Sequence, residues 1–246
     1  MDYNSKNFFN CNSECYISTG YGYDFYDTCV LNFIKKHLDG NTSEKKLADI
    51  GGGSATFSIY ARSEIDVLKV IVVDPSEKML NSIDDDKIEK RIGMLPNSIP
   101  LNEKYDYIHV AFVLHHVVGS NEKESKILLN DSLKTINSLT KTNGYLILRE
   151  RYLESYFMPG LIRKIIFDLC LIQNLFNVKI PYKEFLYGLQ VFFYTRSELK
   201  TFLEQNGFEI LDVVDIKTNS KLNKILLLKN TGSIIFMCKK SSRRQI

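Results

Sequence analysis

The sequence has almost no excess of one charge, since 32 Lys and Arg stand against 29 Asp and Glu and leave a net charge of +3 over 246 residues. A protein that binds nucleic acid by neutralising phosphates would carry a basic stripe or tail. The one candidate is the end of the chain, which holds Lys239, Lys240, Arg243 and Arg244. Because chain termini are commonly left to solvent, we interpret this cluster as a solvated tail and expect no nucleic-acid partner.

Long apolar runs are also missing. The most apolar stretch, residues 161–176, is interrupted by Arg163, Lys164, Asp168 and Gln173. It is also shorter than the roughly 20 residues that a membrane span needs. The first ten residues are polar and lack the apolar run of a secretory signal peptide. We therefore expect a cytoplasmic protein without a membrane partner.

Cysteines are few and irregularly spaced. The sequence has 5 of them, at positions 11, 15, 29, 170 and 238. An odd number at irregular spacing is typical of free thiols in a reducing compartment. Cys11 and Cys15 have no second pair or histidine partner at zinc-finger spacing, so we predict no metal site.

The composition is otherwise ordinary for a soluble globular protein, with 44% apolar and 25% charged residues and no repeat or low-complexity segment. Disorder, collagen and a disulfide scaffold are thereby excluded as classes for the whole chain. A chain of this length forms one large domain or two small ones. It can bury a core without the support of a metal or of disulfides.

Apolar runs alternate with helical patterns along the chain, which favours an α/β fold with parallel strands joined by crossover helices. We predict strands at residues 47–50, 67–73, 88–93, 106–113, 145–148, 208–216 and 233–238. We predict helices at residues 24–38, from about 55, through 79–80, at 126–140, and from 195, where Thr195 and Glu198 form a capping-box pattern. The aromatic-rich residues 151–194 do not fit the alternation, and long insertions of this kind are often lids.

A strand, a glycine-rich turn and a helix follow one another from residue 47. Glycines let the backbone turn sharply and approach a ligand closely, and a helix N-terminus favours anions. A dinucleotide fingerprint would place a third glycine where this chain has Thr56, which counts against NAD or FAD. Asp74 lies 21 residues after Gly53, where a carboxylate accepts hydrogen bonds from a ribose diol. The pattern predicts an adenosine site without naming the cofactor.

Five segments carry a more specific resemblance, namely residues 47–55, 73–80, 105–117, 143–147 and 192–214. They look, in this order, like the glycine motif, the Asp-x-Ser-x-x-Met-Leu motif, the fourth-strand and fifth-strand motifs and the Gly-Phe-Glu segment of one family. That family is the class I S-adenosylmethionine-dependent methyltransferases. The resemblance covers about residues 40–150 and 190–240.

The resemblance implies an α/β fold with a Rossmann-like, seven-stranded sheet of order 3-2-1-4-5-7-6 and helices on both faces. An aromatic, helical N-terminal arm and a helical lid would be added to this core. The implied boundaries are 1–40 for the arm, 41–150 for the cofactor-binding core, 151–194 for the lid, 195–240 for the rest of the core and 241–246 for a tail.

The implied cofactor is S-adenosylmethionine, with S-adenosylhomocysteine as product. The glycine turn and the preceding aspartate would face its amino-acid part, Asp74 would hold its ribose, and the residues after the fourth strand would pass beneath its sulfonium. The full implied set is Asp49, Gly51, Gly52, Gly53, Asp74, Pro75, Met79, Gly93, Met94, Ala111 and Phe112. Members of the family often carry Gly-Asp after the third strand. This chain has Gly93-Met94, so another group must recognise the adenine amino group.

Methyl transfer from a sulfonium requires an aligned acceptor, exclusion of water and, for a hydroxyl or ammonium acceptor, a way for the proton to leave. His115 and His116 follow the predicted fourth strand, and a histidine can accept a proton near neutral pH. We place His116 ahead of His115, with simple packing as the alternative. In the charge cluster that follows the fifth strand, one of Arg149 and Arg151 would bind an anionic substrate group, and Glu150 would orient the acceptor or accept its proton. The alternative is that the three residues form an ion-paired rim.

The lid and the N-terminal arm are rich in aromatic residues, and pockets for small molecules are mainly apolar and aromatic. The predicted substrate-binding residues are Tyr21, Tyr23, His116, Arg149, Tyr152 and Tyr156. We therefore expect methyl transfer to O, N or C of a small, partly apolar or aromatic molecule, such as those of secondary metabolism. The alternatives are an RNA or protein methyltransferase and a non-methylating protein that keeps the cofactor fold. The sequence leaves the oligomeric state open.

Overall fold

Strands and helices alternate along the chain, as the apolar pattern predicts. The computed structural model describes residues 9, 13–14, 24–38, 43–100, 102–155, 159–176, 189–218 and 228–241. The strands are β1 (Lys45–Ile50), β2 (Leu68–Asp74), β3 (Glu89–Ile92), β4 (Tyr105–Ala111), β5 (Thr140–Ser155), β6 (Phe208–Thr218) and β7 (Leu228–Lys240). The helices are α1 (Phe25–Lys36), α2 (Thr56–Glu64), α3 (Glu77–Asn81), α4 (Glu122–Leu139), α5 (Pro159–Phe176) and α6 (Arg196–Gln205), with a 3₁₀ turn at Leu114–His116.

The described strands form one seven-stranded sheet of order β3-β2-β1-β4-β5-β7-β6, which confirms the predicted topology. Neighbours among β1 to β5 are parallel, and β7 runs antiparallel to both β5 and β6. Parallel strands end at the same edge of a sheet, and in open α/β folds ligands bind outside these carboxyl ends. We call this side the carboxyl edge.

Alternate residues of each strand enter two apolar cores, one on each face of the sheet. On one face, Ile108 and Leu146 pack in a cluster with apolar residues of α4 and α6. On the other face, Tyr107 and Ile147 join apolar residues of α1 and α2. Successive side chains of a strand point to opposite faces, so near-continuous apolar strands require helices on both sides, as observed.

Capping interactions set several helix boundaries. The predicted capping box opens α6, since the Thr195 side chain accepts from Glu198 N and the Glu198 side chain accepts from Thr195 N. A second capping box, formed by Asp24 and Asp27, opens α1. Helix α4 begins four residues before the predicted residue 126 because the side chain of Asn121 caps it.

Strand β5 is longer than predicted because it pairs with β7 up to Ser155. The expected end of the core at residue 150 therefore lies within this strand. Helix α5, in the segment expected to be a lid, packs apolar side chains against Leu153 of β5. Its buried Arg163 forms ion pairs with Glu122 at 2.8 Å and with Glu198. Helix α5 is thus joined to the starts of α4 and α6.

In the part of the chain that the structure describes, no helix has both the length and the apolar character required to cross a membrane. Most of the expected N-terminal arm lies outside the described residues, as do Tyr21, Tyr23 and Tyr156.

Candidate functional site

The glycine turn after β1 packs tightly against its neighbours. Gly51 has a φ of +76°, and a Cβ there would lie 2.2 Å from Cγ2 of Val113. A Cβ at Gly52 would lie 2.6 Å from Oδ2 of Asp49. Any larger residue would therefore push the turn away from β1 and β4, because backbone at positive φ and contacts this short both exclude a side chain. The turn leads into α2, whose N-terminus opens at the carboxyl edge.

Asp49 supports this turn from inside the protein. Its side chain is 2% exposed, and its two oxygens lie 2.7 Å from Ser58 Oγ and 2.8 Å from His109 Nδ1. His109 is the register partner of Asp49 on the neighbouring strand β4. Asp49 thereby links β1, β4 and α2. Its expected contact with the amino-acid part of a cofactor stays a prediction.

Asp74 lies at the end of β2, on the carboxyl edge, and is 7% exposed. Its carboxylate accepts hydrogen bonds from Gly53 N at 3.0 Å and from Ser76 N at 2.8 Å. Among the described residues no lysine or arginine pairs with it, and burial raises the pKa of Asp74 to about 6. A carboxylate has about four acceptor positions, so two remain for hydroxyl donors such as those of a ribose.

The residues after β2 and β3 lie beside Asp74. Met79 is buried, Pro75 is half-buried, and Gly93 N donates to the main-chain carbonyl of Asp74 at 3.2 Å. Met94 forms an isolated bridge with Ser98. The half-buried Met94 has a thioether, which is only a weak acceptor for an adenine amino group.

Phe112 follows Ala111 at the end of β4 and has a φ of +57°, which is uncommon for a residue with a side chain. Its N–H donates to the Arg149 carbonyl at 2.8 Å. Two guanidinium groups lie near its ring, that of Arg149 at 4.7 Å and that of Arg151 at 5.7 Å from the ring centre. The strained backbone thus places an aromatic ring at the carboxyl edge.

Glu150 is engaged inside the protein. Its side chain is 0% exposed and accepts from Leu114 N at 2.8 Å, His115 N at 3.2 Å and Arg151 N at 2.7 Å. It also pairs with Nδ1 of His115. These four interactions use the carboxylate inside the protein, so Glu150 anchors the 3₁₀ turn to β5 and positions His115. Its expected contact with the acceptor stays a prediction.

The two histidines differ in their surroundings. The His115 ring is buried, paired with Glu150 and stacked 5.6 Å from the Phe193 ring. The His116 ring lies 3.9 Å from the His115 ring and edge-on to Phe9 at 5.5 Å. Nδ1 of His116 is buried and has no hydrogen-bond partner among the described residues. Burial, with further help from the charges of His115 and Arg151, holds the pKa of His116 well below its usual value. His116 is therefore a neutral imidazole with an unused nitrogen.

Arg149 is bound within the protein. Its guanidinium lies 2.8 Å from Asp24 and 3.5 Å from Asp27, and it stacks over the Tyr26 ring at 4.6 Å. These contacts join the start of α1 to β5. Arg149 thus pairs with Asp24 and Asp27 and not with the adjacent Glu150, and its expected contact with the substrate stays a prediction.

Replacement of Arg149 by glutamine is expected to lower the free energy of unfolding by about 1–2 kcal/mol. The variant leaves the neighbouring carboxylates of Asp24 and Asp27 without their cation. The estimate is modest because Asp24 is partly exposed and solvent screens its ion pair. Urea denaturation measures the change, with Arg91→Gln as a control at an exposed ion pair. Equal stabilities of the two variants would mean that the Arg149 contacts do not hold α1 in place.

Tyr152 is buried in the core on the face of β5 opposite to Arg151. It is 2% exposed, its hydroxyl donates to Asp215 at 2.8 Å, and the Arg196 guanidinium lies 5.0 Å from its ring. Burial and the Asp215 carboxylate raise the pKa of Tyr152. Its hydroxyl is bonded within the protein, and its expected role in substrate binding stays a prediction.

The sequence alone does not reveal that His109 is a partner of Asp49, although the alignment of β1 with β4 in register places it there. For the two arginines, the sequence predicts only that one of them binds an anionic substrate group. The ion pairs of Arg149 with Asp24 and Asp27 distinguish it from Arg151.

Comparisons with known proteins agree with this geometry. A family model described as a methyltransferase domain matches residues 25–213. No curated protein matches the sequence. Magnesium protoporphyrin IX methyltransferase (ChlM) from Synechocystis PCC 6803, solved with bound SAH, has a TM-score of 0.60 at 17% identity, over 96% of this chain and 98% of that one.

Two further solved structures are similar. Geranyl diphosphate C-methyltransferase from Streptomyces coelicolor A3(2) has a TM-score of 0.58 at 12% identity, over 87% of this chain and 76% of that one. The [4+2]-cyclase SpnF has a TM-score of 0.64 at 10% identity, over 98% of this chain and 97% of that one. At such identities the likeness shows the fold alone.

Proposed function

Because the chain belongs to the class I S-adenosylmethionine-dependent methyltransferases, we propose that it methylates O, N or C of a small, partly apolar or aromatic molecule. One observation carries the proposal: at the carboxyl edge, after β4, a half-buried histidine whose Nδ1 is buried without a hydrogen-bond partner among the described residues lies beside the rings of Phe9 and His115. The sequence is nearly neutral in charge and therefore lacks the excess of cationic residues that binds a polyanionic nucleic acid.

The residues of the carboxyl edge fit the cofactor. Asp74 is a buried carboxylate with spare acceptor capacity and no cationic partner among the described residues, which suits two ribose hydroxyls. The turn at Gly51–Gly53 uses the N–H groups of Gly51 and Gly53 within the protein and brings the start of α2 to the same edge, where this helix N-terminus would meet the cofactor's carboxylate. Met79 and Pro75 would pack on the adenine. When bound, the cofactor supplies a methyl group that its positive sulfur already activates.

The protein's remaining tasks are to hold the acceptor in line, exclude water and remove a proton. Phe112 would provide an apolar surface beside the methyl group. His116 would accept the proton of a hydroxyl or ammonium acceptor at its unused nitrogen, since it is already neutral. Glu150 would act indirectly by fixing His115 and the 3₁₀ turn.

Two of the similar structures are named for methyl transfer to small molecules, magnesium protoporphyrin IX and geranyl diphosphate, which supports the proposed acceptor class. Another is named as a [4+2]-cyclase. Since one fold hosts different chemistries, turnover must be tested apart from cofactor binding.

The test is a titration of ligand-stripped protein with S-adenosylmethionine and S-adenosylhomocysteine, followed by labelled-methyl transfer to a panel of phenols, aromatic amines and terpenoid alcohols. Binding of both and transfer to members of the panel would support the proposal. Transfer only to RNA or protein would replace it with the alternative acceptor class. Failure to bind either compound would reject it.

The affinity for S-adenosylhomocysteine is expected to fall in acid. The pKa of Asp74 is raised to about 6, so its carboxylate is ionised at neutral pH and protonated below that pKa. The protonated form loses charged acceptor positions for the ribose. From about pH 7.5 to about pH 5, the Kd should rise by up to about tenfold. Calorimetry across this range measures it, and Asp74→Asn should show a flat profile. A parallel pH dependence in that variant would assign the titration to another group.

A further inference from the structure

Every described arginine except one forms an ion pair with a carboxylate. Arg62 pairs with Asp85, Arg91 with Glu89, Arg149 with Asp24 and Asp27, Arg163 with Glu122 and Glu198, and Arg196 with Glu154 and Asp215. Arg151 has no such partner among the described residues. The adjacent acid, Glu150, is turned inward and occupied by its own four interactions.

Arg151 also stands at the reaction site of the proposed function. It lies two residues after Arg149, and therefore on the same face of β5. Its guanidinium is 5.7 Å from the centre of the Phe112 ring, and its charge acts on His116. The side chain is exposed at the carboxyl edge. The cation without a carboxylate partner is thus near the aromatic ring that would flank the transferred methyl group, and its charge reaches the histidine.

The backbone of Arg151 is held firmly. Its N–H donates to Glu150 at 2.7 Å, and it pairs with Ser233 of β7 in the sheet. Because the backbone is held and an aromatic ring lies beneath the guanidinium, the Arg151 side chain has less conformational freedom to lose when a ligand binds. A guanidinium offers a planar fork of N–H donors that matches carboxylate and phosphate oxygens.

The charge at this edge favours an anion. The bound cofactor carries a positive sulfonium, and Arg151 adds a second positive charge nearby, whereas the charge of Arg149 is already compensated. A cationic acceptor would meet repulsion from both, and a neutral acceptor would leave Arg151 unpaired. We infer that Arg151 binds an anionic group of the methyl acceptor, a carboxylate or a phosphate. The inference rests on the proposed function and narrows its substrate class.

The test uses three small aromatic probes that share a ring: benzoate, phenyl phosphate and the neutral benzamide. Each is titrated by NMR into full-length protein saturated with S-adenosylhomocysteine. We expect at least one of the two anions to bind about tenfold more tightly than benzamide. Preference for benzoate would identify a carboxylate, and preference for phenyl phosphate would identify a phosphate.

Two variants and one control assign the preference to the residue. Arg151→Gln should bind all three probes equally, and Arg151→Lys should keep part of the preference because the charge remains without the fork. Lys134→Gln removes an exposed cation on α4 and should behave as the wild type. An anion preference that persists in Arg151→Gln, or is absent in the wild type, would overturn the inference.

The cofactor titration separates this failure from failure of the proposed function. Wild type and Arg151→Gln should bind S-adenosylhomocysteine equally, because the inferred subsite receives the acceptor. A wild-type chain that binds no S-adenosylhomocysteine would reject the proposed function and the inference with it. Normal cofactor binding without an anion preference would reject the inference alone.

Discussion

Replacement of Asp74 by alanine is expected to weaken the binding of S-adenosylmethionine and S-adenosylhomocysteine by about 1.5–3 kcal/mol, or roughly 10- to 150-fold in Kd. The carboxylate is buried at the end of β2 and uses only two main-chain donors. Its remaining positions would receive the ribose hydroxyls, and hydrogen bonds to a charged acceptor are stronger than those between neutral groups. Isothermal titration calorimetry measures both affinities.

The control for this prediction is Asp66→Ala, which removes an exposed carboxylate. Its affinity should equal that of the wild type. The alanine at position 74 also leaves Gly53 N and Ser76 N without their acceptor, so thermal unfolding of the apo variants must accompany the titrations. A folded Asp74→Ala variant with unchanged affinity would remove Asp74 from the cofactor site.

The strands and the glycine turn could be predicted because their causes are local, whereas the order of the strands was predicted only from the family resemblance. A near-continuous apolar strand, a glycine that must adopt positive φ and a helix start are all visible in a short window of sequence. Gly51 shows the reason, since both its φ and its contact with Val113 exclude a side chain. The same local signal located Asp74 at the end of β2.

The direction in which an acidic side chain points could not be predicted in this way. Glu150 turns inward because Leu114 N and His115 N, some 35 residues earlier in the chain, need an acceptor. Asp49 turns inward because Ser58 and His109 converge on it from two other elements. These donors come together only in the folded sheet, so a motif alone places the residue but not its partners.

Tyr152 and Arg151 illustrate a second limit of prediction from sequence, which is that the end of a strand depends on its pairing with another strand. The apolar pattern ends at residue 148, but pairing with β7 extends β5 to Ser155. Along the full strand, the alternation that buries Leu148 and Glu150 also buries Tyr152. The same alternation leaves Arg151 on the other face, beside Phe112. Because neighbouring residues of a strand point to opposite faces, Arg151 lies beside Phe112 whereas Tyr152 is buried on the other face.

Replacement of His116 by glutamine is expected to lower kcat by about 10²–10⁴-fold, which is the range for loss of a positioned general base. The unused nitrogen of His116 is the proton acceptor that the site offers, and glutamine keeps a polar side chain without a basic nitrogen. The affinity for S-adenosylhomocysteine should stay at the wild-type value, because the ribose and the amino-acid part are held elsewhere. The rate is measured on an acceptor identified by the labelled-methyl screen.

Two measurements of pH dependence test whether His116 acts as a general base or has a purely structural role. Burial holds the pKa of His116 well below its usual value, so in an NMR titration its imidazole should stay neutral at a pH that already protonates a free imidazole. Wild-type kcat should therefore stay level through neutral pH, while the rate of His116→Gln should rise with pH as the acceptor loses its proton to solvent.

Added imidazole should partly restore turnover to His116→Ala, because a small base can occupy the vacated space. His37→Gln serves as the matched control, since His37 lies at the end of α1 with its Nδ1 bound to the Phe33 carbonyl. Full activity of a folded His116→Gln variant would mean that the acceptor gives its proton to solvent or has none to lose. The aromatic surroundings of His116 would then serve to bind the acceptor, and the chemistry would depend on alignment alone.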